Sequence, residues 1–187
     1  YHTGTVTLKS GSFSATVTLS GEGKNPPLTF TEGWNFSEKS GKKNSQWLST
    51  YSKARNMDFG AGKLYVVNAE DGKIAVVNAQ TGEFIKDLDM TGVSGGALKV
   101  IDVKYFDGKI VACNLASNAN DNSKTLKVYV WDNDDAKPRV LLNTTKYDGK
   151  ARIGDCIGLN GNLTNGYIFF AAGSASEQTE VICYNIV

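Results

Sequence analysis

The chain has 187 residues, with 20 basic against 19 acidic side chains, and its formal charge of +1 provides no field to gather nucleic acid or anionic membrane. A hydrophobic share of 41% excludes disorder, and 20 glycines, 3 prolines and an absence of helical periodicity point to strands joined by tight turns. A lone histidine, His2, removes imidazole-based nucleophilic catalysis, and no run of about 18 apolar residues offers a membrane-spanning helix.

Residues 3–19 alternate as a hairpin does: Thr5 to Leu8, a Ser10-Gly11 turn, then Phe13, Ala15, Val17 and Leu19. A two-stranded hairpin is marginal alone, and this one resembles the last two strands of an immunoglobulin-like sandwich, with Tyr1 near a tyrosine corner. That resemblance implies a chain that begins inside a larger protein. Pro26-Pro27 cannot donate ladder hydrogen bonds and marks a linker. Leu28 to Phe30 and Gly33 to Phe36 suggest one short strand, residues 37–46 an exposed polar loop, and Trp47 a return to the core. The expected divisions are 1–23 for the hairpin, 24–50 for the linker with its strand, and 51–187 for the repeating part.

Self-similarity dominates that last part. Gly62-Lys-Leu-Tyr-Val-Val-Asn68 recurs 46 residues later as Gly108-Lys-Ile-Val-Ala-Cys-Asn114. A looser third copy matches Ala54-Arg-Asn-Met-Asp58 to Ala151-Arg-Ile-Gly-Asp155 and continues into Gly166-Tyr-Ile-Phe-Phe-Ala171. Third strands follow at residues 73–78, 126–131 and 180–185, and fourth strands only twice, at 84–88 and 139–142. Asp71-Gly72, Thr81-Gly82, Asp107-Gly108 and Asn165-Gly166 supply turn chemistry at the corners. A period of roughly 40 to 50 residues with four strands per unit is that of a β-propeller blade. The expected fold is therefore all-β: a partial β-propeller of about three four-stranded antiparallel blades after an N-terminal hairpin. Sheet faces left uncovered offer a route to self-association.

Ala54-Arg-Asn-Met-Asp-Phe59 and Asn78-Ala-Gln-Thr-Gly-Glu83 look like bacterial quinoprotein-type and surface-layer propellers. The repeated tryptophan docking motif of the former is missing, and the Trp-Asp pair of WD-type blades occurs once, as Trp131-Asp132. A sandwich end, a Pro-Pro linker, and Trp34 and Trp47 ahead of the blades resemble uncharacterised Bacteroidetes surface propellers that follow an immunoglobulin-like module. The resemblance implies export to the cell surface or periplasm and carries no activity with it.

Chemistry is sparse. Cys113, Cys156 and Cys183 lie in or beside apolar runs and read as buried small hydrophobes, and their spacing suits no metal. Residues 132–135 and 118–122 offer hard oxygen ligands without the glycine and distant glutamate of a calcium loop, so they read as solvated turns. No phosphate-cradling glycine motif precedes a helix, and Val93-Ser-Gly-Gly96 reads as a loop between blades. No cofactor is indicated. Asp58, Asp102 and Asp155 fall near the first strands, where propellers line a central channel, with Arg55 and Arg152 three residues before two of them. These charges serve structure, a polar ligand, or glycosidic hydrolysis by paired carboxyls. Trp34 and Trp47 offer either a sugar-stacking platform or a plug between domains. The leading expectation is a surface module that binds a glycan or a protein through Asp58, Asp155, Arg55, Arg152, Trp34 and Trp47. A carbohydrate-active hydrolase and a structural spacer are the alternatives.

Overall fold

A computed structural model describes residues 2–21, 29–35, 54–117, 123–145, 152–174 and 177–187. They form antiparallel β-strands and turns with no α-helix, and none of them belongs to a helix long and apolar enough to cross a membrane. The chain divides into two compact units, residues 1–32 and 33–187.

The first unit is a hairpin of β1 (His2–Ser10) and β2 (Phe13–Gly21). Ser10 opposes Phe13, so the turn is Gly11-Ser12, and Gly11 has the positive φ of 60° that a two-residue loop requires. Val6 and Val17 face each other half exposed. Residues 29–35 hold no strand, and Phe30 is exposed, contrary to the expected short strand there.

The second unit is built from three meanders. The first orders β3 (Ala54–Gly60), β4 (Lys63–Asn68), β5 (Lys73–Asn78) and β6 (Phe84–Asp87) side by side. The second repeats this with β7 (Leu98–Phe106), β8 (Lys109–Ser117), β9 (Leu126–Trp131) and β10 (Arg139–Thr144). The third holds β12 (Gly158–Gly161), β13 (Gly166–Ser174) and β14 (Glu177–Ile186). Two residues, β11 (Arg152–Ile153), bridge the last two meanders by pairing with Ser117 and Ala116 of β8 on one side and Gly173 and Ala172 of β13 on the other.

The 46-residue repeat is visible in the turns. Ala61-Gly62 and Asp107-Gly108 both have positive φ at each position, which gives the two-residue turn whose twist matches its flanking strands. The third copy differs. Asn162, rather than Asn165-Gly166, closes its corner by accepting the amides of Thr164 and Asn165 at 2.9 and 2.8 Å.

Strand alternation places the core. In β4 and β5, Tyr65, Val67, Ile74 and Val76 enter the main core, while Val66, Ala75 and Val77 face the other way into a small cluster with Leu64, Phe84 and Trp34. β8 is buried along nearly all its length because the second meander is covered on both faces. Each fully buried Val or Ile there contributes about 1.5–3 kcal/mol of burial.

A polar rim between buried seams

Of the three aspartates nominated by sequence, only one stands on an open surface. Asp58 lies in β3 opposite Tyr65, and its Oδ2 accepts the Tyr105 amide of β7 at 2.7 Å. Asp102 is completely buried. Its Oδ1 accepts from the Val103 amide at 2.8 Å and the Lys104 ammonium at 3.0 Å, and its Oδ2 accepts the Ile157 amide of the third meander at 2.9 Å. These carboxylates are struts: they satisfy amides of the next meander that no strand ladder reaches. Asp107 repeats the device, accepting the Leu163 amide at 3.0 Å. Asn56 donates to the Ile101 and Asp155 carbonyls at 2.9 and 3.3 Å. The expected trio lining a channel is thus corrected, since one of its members has no access to solvent.

The match of residues 54–58 with 151–155 also fails in register. Asp58 sits in a continuous ladder, whereas Asp155 lies in the bend between β11 and β12. There it is exposed and held in a two-pronged contact by Arg152, whose guanidinium pKa rises chiefly through that hydrogen bond.

Arg55, Arg152 and Asp155 do converge. With Asn56 they ring a recess of about 310 Å³ floored by Leu98, Ile101 and Leu115. Asp58 is not among its walls. Two carboxyls over one solvent-filled pocket, the arrangement that paired-carboxyl hydrolysis requires, is therefore not formed by Asp58 and Asp155. Among the described residues, no hydrogen bond or ion pair engages the Arg55 guanidinium. Beside this recess lies a groove of about 630 Å³ between the turn at residues 69–72, the loop at 94–99 and Thr125 and Lys127. Leu98 lines both. Sequence reading identified the 94–96 loop but not what it faces, because Lys99, Lys127 and Glu70 come from three separate corners.

On the opposite edge, the three aspartates of residues 132–135 are consumed by lysines. Asp134 takes Lys63 and the Tyr65 hydroxyl, the latter at 2.8 Å, while Asp135 takes Lys86 and Asp132 takes Lys109, each at 2.6 Å. Burial, with the Asp134 charge behind it, pushes the Tyr65 phenol well above its usual range. Among the described residues no group of acidic, histidine or cysteine side chains could hold a metal ion. Residues 118–122 lie outside the described residues.

Trp34 covers the small cluster on the first meander and donates its indole N–H to the Ala79 carbonyl at 3.0 Å. Trp47 lies outside the described residues. Only Cys113 is buried, where burial and then the Asp102 charge push its thiol up; Cys156 and Cys183 are exposed, which corrects the expectation of three buried thiols.

No family model matches this chain, and no curated protein does. Among solved structures, a DUF4623 family protein from Bacteroides eggerthii matches with a TM-score of 0.62 at 18% identity, over 99% of this chain and 43% of that one. The chain therefore shares the fold of that uncharacterised protein and spans less than half its length.

Proposed function

We propose that this chain is a cell-surface binding or scaffolding module: part of a β-propeller after an immunoglobulin-like module, with one rim presenting a polar recess to a glycan or protein ligand. The observation that carries the reading is the recess at the starts of β3, β7 and β11, where Arg55 stands above an apolar floor with its guanidinium uncommitted among the described residues. A concave site with few convergent polar groups on a rigid β frame is where ligands bind. Meanders repeated with the same corner chemistry and buried against one another support the propeller. An extracytoplasmic location belongs to the same proposal and rests on the resemblance to Bacteroidetes surface proteins.

The test is a glycan array and a pull-down with the intact protein, run beside an Arg55→Gln/Arg152→Gln double variant. The wild type is expected to retain a ligand that the variant loses, with unchanged thermal unfolding. Blank results in both formats, or binding indifferent to the variant, would overturn the proposal.

A further inference from the structure

The recess and the groove share a wall, and their chemistries are complementary. We propose that together they form one binding track for an acidic oligosaccharide, a sugar chain carrying carboxylates, which crosses Leu98 with one carboxylate on Arg55 and its hydroxyls in the groove. This rests on the binding-module reading and narrows its ligand.

The carboxylate follows from charge. Arg55 and Arg152 against Asp155 leave the recess with one net positive charge, and Arg152 is already held by Asp155. The planar guanidinium of Arg55 matches a carboxylate through two parallel hydrogen bonds.

The sugar follows from the groove. Its walls combine the carboxylates Glu70 and Asp71, each with a partner elsewhere in the protein, with the ammonium groups of Lys99 and of Lys127, which also donates to Ser94 Oγ at 3.2 Å. A hydroxyl donates to the first pair and accepts from the second, so a polyol suits walls of both signs. Besides Leu98, the groove's apolar lining is limited to Ala69 and Ala97, too little to seat the apolar side chains by which a peptide docks.

The groove is also preformed. Gly96, at φ 76°, is pressed onto β8 so closely that a Cβ there would lie 2.6 Å from Asn114 Nδ2 and 2.7 Å from the Leu115 carbonyl oxygen. Asn114 in turn donates to the Thr125 carbonyl and accepts the Lys127 amide, both at 2.8 Å, which fixes the opposite wall. A wall set before binding loses little entropy on binding.

Isothermal titration of the intact protein with a uronate tetrasaccharide, its fully methyl-esterified form and polyglutamate tests the proposal. The free acid is expected to bind about tenfold or more tighter than the ester, the scale of one charge-assisted contact. Arg55→Gln, which removes no hydrogen bond or ion pair among the described residues, is expected to bring the acid down to the level of the ester. Lys99→Gln is expected to weaken both while keeping their ratio. Equal affinity for acid and ester, an acid preference that survives Arg55→Gln, or polyglutamate binding as tightly as the uronate would overturn it. Failure to bind uronate while another glycan or a protein is retained through the same recess would sink this inference and leave the binding module standing. No ligand in any format would remove both.

Discussion

Polar side chains at the seams between meanders and polar side chains on the rim come from the same few strands, yet they meet opposite fates. Asp58, Asp102 and Asp107 reach from one meander to an amide of the next and are used up there. Arg55, three residues before Asp58, points into an open recess and bonds to nothing in the described residues. Stacked sheets leave amides at their inner strands that no neighbouring strand can satisfy, so an aspartate near such a strand is first a strut. Only the groups left over after the seams are closed are available to a ligand.

Substitutions at the seams should therefore cost stability, and rim substitutions affinity. The largest effect is expected from Trp131→Ala. This fully buried indole donates to the Asp89 carbonyl at 2.7 Å, anchoring the loop that follows β6, and its loss should cost about 3–5 kcal/mol in urea unfolding. Asp102→Ala should follow at about 2–4 kcal/mol, because it strands the Ile157 amide and leaves Lys104 without its partner. A cost below about 0.5 kcal/mol would mean that Asp102 is not a strut. Gly60→Ala sharpens the same point: its Cβ would fall within 1.9 Å of the Tyr105 ring, which stacks on Tyr65, so the first seam must open at about 1–3 kcal/mol.

The smallest effect belongs to the exposed pairs. Lys86 and Lys109 hold the Asp135 and Asp132 carboxyls below their usual range. A lowered folded-state pKa contributes stability above the unfolded value near about pH 4, lost as pH falls through the folded one. Lys86→Gln with Lys109→Gln should lower stability slightly at neutral pH, with the difference from the wild type closing as pH falls below about 4, so that the acid limb of the stability curve is flatter.

Much of the fold was legible because it rests on short-range rules. The run from Lys63 to Asn68 and its copy at 109–114 announce strands buried on both faces, and Asp107-Gly108 announces its turn. The third copy misled because the similarity of residues 54–58 to 151–155 is one of composition, while β11 takes its place between β8 and β13 through pairings 19 to 37 residues distant. Arg55, Arg152 and Asp155 were nominated together and do meet. Asp58 was nominated for the same reason and does not join them, because which face of β3 looks toward β7 depends on a bulge between Ala54 and Met57. Lys99 and Lys127 could not be found at all, since only the stacking of corners brings them to one groove.

The most direct measurement is amide chemical-shift mapping during titration with the uronate tetrasaccharide. Shifts at Arg55, Arg152 and residues 94–99, with the strut-held amides of Tyr105, Ile157 and Leu163 unmoved, are the expected result. Shifts centred on residues 132–135, or on those three amides, would contradict the division between closed seams and an open rim.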